Sequence, residues 1–207
     1  MAIRQIRTLG DPVLEKHCRE VKEMTPRLQE LIDDMLETMY QQEGVGLAAP
    51  QVGILRRIAV VDTGIPAFDE EDSIPEQDAQ EASAGQTASA GQEDQADPVA
   101  PAEQESPYGD VKDYCEEPLI LINPVIVETD GEQKGSEGCL SVPGKAGEVT
   151  RPEYVKVRAF DRDMNPYEVE GTGLLARALC HEIDHLDGIM YVTKVEGDMY
   201  EVKEEEE

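Results

Sequence analysis

Tryptophan is absent from this 207-residue chain, phenylalanine occurs only twice and histidine three times. With 39% hydrophobic residues and so few large rings, the core has to be aliphatic. Basic residues are also scarce: 18 Lys and Arg stand against 46 Asp and Glu, a formal net charge of -28. That balance argues against a broad nucleic-acid or anionic-membrane contact, which needs a basic face. No long apolar run suggests a membrane span. The opening "MAIRQIRTLGDPVL" reads into folded pattern and does not resemble a signal peptide, so a cytoplasmic location is expected. The four cysteines, Cys18, Cys115, Cys139 and Cys180, form no paired framework. In a reducing compartment they read as free thiols or metal ligands.

The charge is unevenly placed, and this divides the chain. Residues 66–117 contain 16 acidic residues and one base, Lys112. Much of that stretch is Gln, Ala, Ser, Gly, Glu and Pro, with "ASAGQ" at 82–86 echoed at 88–92. Such a composition cannot bury enough apolar surface to offset its ordering entropy, so 66–117 reads as a disordered acidic insertion. The run "EVKEEEE" marks 198–207 as an acidic, solvated tail. What remains, 1–65 with 118–197, has material for a single domain.

Within that domain, "TPRLQELIDDMLETMYQQEG" spaces Leu28, Leu31, Ile32, Met35, Leu36 and Met39 as a helix does. Thr25 is its expected N-cap, Pro26 its first residue and Gly44 its stop. "ILRRIAVVD", "PLILINPVIVE" and "YVKVRAF" read as strands. A late helix is expected from about Gly173 to Leu186. One early helix, several strands and one late helix packed on sheets indicate the α+β class.

Two of the three histidines, His181 and His185, stand in that late helix within "LARALCHEIDHLDG". Residues four apart lie about 40° apart around a helix axis, so both imidazoles can converge on one ion, while Glu182 points about 100° away, where a base suits better than a ligand. The alternative is an amphipathic helix whose packed face includes two histidines. A third ligand would separate these readings. Cys139 in the turn-rich "EGCLSVPG" supplies a candidate: a thiolate with two imidazoles leaves one tetrahedral position open, a catalytic arrangement. An ordinary buried cysteine is the plainer reading.

"GVGLAAPQVG" (44–53), "EGCLSVPG" (137–144) and "HEIDHLDG" (181–188), in that order, resemble the three signature segments of the peptide deformylases. The resemblance covers nearly all the chain outside the insertion and tail. It implies an α+β fold with the metal-binding HExxH helix among mostly antiparallel sheets. The implied activity is removal of the formyl group from the N-terminal formyl-methionine of newly synthesised chains, near the ribosome. By this resemblance Cys139, His181 and His185 hold one divalent transition metal, natively Fe2+, with Zn2+, Ni2+ or Co2+ able to substitute. Hydroxide formed at the ion attacks the formyl carbon, and Glu182 serves as general base and acid. The Gln51 amide and the Leu140 backbone N–H meet the charge on the formyl oxygen. Gly46 pairs with the peptide backbone, and Val45 and Leu174 help form a methionine pocket.

Read from the residues alone, Gln51 could be a surface amide, and Gly44 and Gly46 a helix stop and a tight turn. The chain departs from the family at position 180, usually Gln and here Cys, and in the insertion, where a short connection is usual. A zinc peptidase of the HExxH type leaves "EGCLSVPG" and Gln51 unexplained. A binding module derived from an inactive homologue fits poorly with an intact set of ligands and base.

Overall fold

A computed structural model describes residues 2–64 and 107–202. Helix α1 (Pro26–Gln41) starts as its sequence dictates, with the Thr25 side chain accepting from the Leu28 N–H and proline in the first turn. Its inner face buries Leu31, Ile32, Met35 and Met39, each contributing about 1.5–3 kcal/mol over an exposed position. The stop differs from expectation. Glu43, not Gly44, takes the left-handed conformation, at φ 53°. Gly44 is small for another reason: a Cβ there would lie 2.8 Å from Leu140 Cδ1.

The strands are β1 (Gly46–Ala48), β2 (Ile58–Val61), β3 (Leu119–Asp130), β4 (Gln133–Gly138), β5 (Lys145–Arg151), β6 (Tyr154–Phe160), β7 (Pro166–Thr172) and β8 (Tyr200–Glu201). They form a five-stranded sheet in the order β1-β2-β3-β6-β7 and a three-stranded sheet β4-β5-β8. Every pairing within them is antiparallel. Helix α2 (Gly173–Leu186) matches its expected bounds.

Strand alternation sorts the core into layers. On β2, Ile58 and Val60 join the cluster that holds the buried face of α1, while Ala59 and Val61 join the cluster of α2. The α2 side is lined by small residues, Ala48, Ala59 and Ala159, which let the helix lie close. Its apolar residues, Leu175, Ala176, Leu179, Cys180, Ile183 and Leu186, face this sheet. The opposite face carries Arg177, His181 and His185, toward the three-stranded sheet. A helix clasped this way is buried nearly all round, which is why its polar residues need partners.

The disorder expected for the greater part of the insertion, 66–106, lies outside the described residues. The remainder, 107–117, packs onto the domain. Thr63 and Cys115 exchange hydrogen bonds, Cys115 N–H to Thr63 Oγ1 at 3.0 Å and Thr63 N–H to Cys115 Sγ at 3.3 Å. The Asp113 carbonyl accepts from the Leu175 N–H at 2.9 Å. Helix α2 has no side-chain N-cap, so this contact satisfies an otherwise orphaned N–H of its first turn. The tail expected to be solvated from 198 is exposed as far as 202, and within it the short β8 pairs Tyr200 with Ala146 and Glu201 with Lys145. Among the described residues, no helix is long and apolar enough to cross a membrane.

Candidate functional site

The edge strand β1, the turn after β4 and one face of α2 enclose a cavity of about 520 Å3. Val45, Gly46, Gln51, Cys139, Leu140, Leu174, His181 and Glu182 all line it. His185, 1% exposed, lies behind the cavity wall and completes the set expected from the sequence.

The two imidazoles and the thiol do converge. His185 Nε2 is 3.2 Å from His181 Nε2 and 3.3 Å from Cys139 Sγ. These three are the one group of metal-ligand type found among the described residues. A tetrahedral ion with bonds of about 2.0–2.1 Å to nitrogen and 2.3 Å to sulfur has ligand–ligand edges of about 3.3–3.6 Å, so the donor set fits such an ion. Electrostatics agree. Burial holds His185 well below the ordinary histidine value, hence neutral and able to donate a lone pair. Burial also pulls His181 down, but hydrogen bonds to Cys139 and Glu137 outweigh it and raise the group to about 10.

His181 is oriented from behind. Its Nδ1 lies 3.0 Å from Glu137 Oε2, which leaves Nε2 to face the cluster. Arg151 grips both oxygens of Glu137, at 2.8 and 2.9 Å, and Arg177 donates to Oε1 at 2.9 Å. Burial alone would raise the Glu137 carboxyl. The bonds from Arg151 and His181 prevail and hold it at about 2. Arg151 also reaches Asp184, which directly precedes His185. No role for Glu137, Arg151 or Arg177 is evident from the sequence. The one signal is Arg177 itself, placed four residues before His181 and eight before His185 on one face of a helix.

Glu182 occupies the other side of the cluster. It is 4% exposed, and its Oε2 has no hydrogen-bond partner. Burial pushes its carboxyl up to about 7, with the His181 charge acting in the opposite direction, a value suited to accepting and returning protons near neutrality. Gly46 is packed directly against it: a Cβ there would lie 2.5 Å from Glu182 Oε1.

Gln51 is no surface amide, being 1% exposed. Its Oε1 accepts from the Ala48 N–H at 2.7 Å, so its Nε2 turns toward Ser141 Oγ, at 3.2 Å, and Cys139 Sγ, at 3.5 Å. Leu140 lines the same wall, and its backbone N–H has no acceptor among the described residues. Val45 and Leu174 are apolar side chains 43% and 47% exposed at the cavity rim. Cys180 packs in the apolar cluster of α2, outside the ligand group, and burial raises its thiol to about 11. All four cysteines are free thiols.

A Cys-His-His donor set with both imidazoles buried, the glutamate of an HExxH helix beside it and a cavity in front, defines a centre of the metallohydrolase type. The sequence profile of the polypeptide deformylases matches residues 3–199, and the chain belongs to this family of hydrolases. It is 50% identical over 206 residues to a peptide deformylase of Agathobacter rectalis, covering 100% of this chain and 98% of the relative. It is 49% identical to that of Lachnoclostridium phytofermentans, over 100% of both chains. Among solved structures, a peptide deformylase from Legionella pneumophila superimposes with a TM-score of 0.68 at 36% identity, over 94% of this chain and 87% of the other. One from Synechococcus elongatus in complex with actinonin gives 0.66 at 33%, over 94% and 79%.

Proposed function

We propose that this chain removes the formyl group from the N-terminal formyl-methionine of newly synthesised polypeptides, beside the ribosome in the cytoplasm, and releases formate. The observation that carries this reading is the meeting of three metal-ligating atoms with one buried, unpartnered carboxylate at the foot of a peptide-sized cleft. Cys139, His181 and His185 would hold one divalent transition ion. A thiolate with two imidazoles suits iron, zinc, nickel or cobalt and disfavours magnesium and calcium. We take Fe2+ as the native ion. When bound, it supplies Lewis acidity that lowers the pKa of water and polarises the formyl carbonyl.

The remaining steps belong to the side chains. Glu182 takes the proton of the attacking water and returns it to the departing amine, for which a carboxyl near pH 7 is well matched. Charge gathers on the formyl oxygen, where the Gln51 Nε2 amide and the unengaged Leu140 N–H act as donors. The edge of β1 at Gly46 pairs with the extended peptide, as edge strands do. Val45 and Leu174 receive the methionine side chain.

Formate release from a formyl-Met tripeptide by anaerobically prepared protein, with metal content measured on the same sample, tests the whole reading. Turnover is expected on the formyl peptide and not on its acetyl counterpart, whose extra methyl must fit where a hydrogen is accommodated. Equal rates on both, or cleavage of internal bonds alone, would point instead to a peptidase. Gly46→Ala should lower kcat by about 10²-fold, since the new methyl must displace the Glu182 carboxylate, and small misplacements of a reacting group carry costs of that size. Metal content should not change. Full activity in this variant would remove Glu182 from the reaction centre.

A further inference from the structure

In "EGCLSVPG", Glu137, Cys139 and Leu140 all have parts in the site described above, but one polar side chain does not. Ser141 is 0% exposed. A buried hydroxyl has to be hydrogen-bonded, and its partner shows what it can do. Among the described residues that partner is Gln51, whose Nε2 donates to Ser141 Oγ at 3.2 Å.

The bond joins two residues whose backbones are held by a third segment. Residues 7–9 run between them: the Arg7 N–H donates to the Gln51 carbonyl at 2.7 Å, and the Leu9 N–H to the Ser141 carbonyl at 2.8 Å. One short strap therefore ties the segment after β1 to the turn after β4. The Val142 N–H closes that turn onto the Cys139 carbonyl at 2.8 Å. Gly53, at φ 82°, makes room for the strap, because a Cβ there would lie 3.1 Å from Arg7 Nε.

With both backbones fixed, the orientation of the Gln51 amide is set by its own bonds. A carboxamide is planar and offers an oxygen acceptor and two N–H donors in fixed directions. The Ala48 N–H occupies the oxygen at 2.7 Å, and Ser141 Oγ accepts one N–H. The second N–H is turned toward Cys139 Sγ, 3.5 Å from Nε2, on the side where His185 meets the thiol. We propose that Ser141 is a positioning residue for the reaction: by accepting one N–H of Gln51, its hydroxyl holds the amide plane so that the other N–H is aimed at the formyl oxygen. This rests on the deformylase reading and adds the group that preorganises one of its donors. A donor already aligned needs no rearrangement as charge develops, which is the source of its effect. Without Ser141 Oγ the amide is held firmly only at its oxygen, and the terminal torsion of glutamine is intrinsically broad. A serine that merely satisfied a buried donor would affect stability and leave the chemical step alone.

The test is a double-substitution cycle on formate release from a formyl-Met tripeptide, using Ser141→Ala, Gln51→Ala and the two together, with metal content and thermal unfolding measured on each. Ser141→Ala should lower kcat about tenfold, less than the 10²–10³-fold usual for deleting an oxyanion donor, with KM within about twofold and metal content unchanged. Gln51→Ala should lower kcat by about 10²-fold, and adding Ser141→Ala to it should cost nothing more, because the hydroxyl acts only through the amide. The Gln51 side-chain NH2 signals, assigned by triple-resonance NMR, should shift and exchange faster with water in Ser141→Ala, with metal or without it. Absence of turnover in the parent overturns the deformylase reading and this proposal with it. An active parent overturns the proposal alone if Ser141→Ala keeps more than half of its kcat, if the two losses multiply in the double variant, or if the Gln51 NH2 signals are unaltered.

Discussion

Replacing Glu182 by glutamine is expected to remove about 10²–10⁴-fold from kcat, the span usual for a lost general acid–base, while metal content stays at one ion per chain. Glu182 is not among the three metal-ligand-type side chains that converge, Cys139, His181 and His185, so a metal should load normally without its charge. The carboxylate sits 4% exposed with Oε2 unpartnered, and burial lifts it to about 7, so the native protein carries the cost of a group that lacks full solvation or pairing. Glutamine has the same shape without the charge. The variant should therefore unfold at the same temperature as the parent or higher, a trade of stability for activity. Formate release, metal content and thermal unfolding on the same preparations test this. Retention of more than a tenth of the parent rate would exclude Glu182 as the proton carrier.

The part of the candidate site that follows from local spacing, His181, Glu182 and His185, was legible in the chain itself, whereas Cys139, Gln51, Leu140 and Gly46 were legible only through the family resemblance. The 3.6-residue period that sets His181 and His185 on one helix face is a property of the chain, and so are the Thr25 cap and Pro26 start of α1. Elements that depend on distant partners were not legible. Strand β4 reads "QKGSEG" and has no apolar residue at all; it is a strand because β5 pairs with it in register. Likewise β1 is only three residues long. The seam between insertion and domain was misjudged because Lys112, Asp113 and Cys115 look solvated by composition, yet their backbone carries hydrogen bonds that close the start of α2 and the end of β2. Glu137 lay in plain sight within "EGCLSVPG". Its importance arises from Arg151 and Arg177, which are 14 and 40 residues away.

That buried network gives the second large effect. Glu137→Ala should destabilise the fold by about 3–5 kcal/mol, because it leaves Arg177 without its carboxylate and Arg151 with Asp184 alone, in a site where Glu137 and both arginines are nearly inaccessible. It should also weaken metal affinity by about 10–100-fold, since His181 loses the acceptor that fixes its ring and tautomer. Glu137→Gln should recover part of the affinity, because one amide oxygen can still accept from His181 Nδ1. Denaturant unfolding of the chelated protein isolates the fold term, and competition with a chromophoric chelator isolates the affinity. Acid behaviour follows from the same group. The folded carboxyl is held at about 2, below its ordinary value of 4.5, so its stabilisation is complete above the unfolded value and is lost as pH falls through 4.5 toward about 2. The parent should lose stability across that window, and Glu137→Ala should lose correspondingly less. If the alanine variant binds metal as tightly as the parent, the Glu137–His181 contact does not position the ligand. If its acid profile superimposes on the parent's, the depressed titration belongs to another carboxylate.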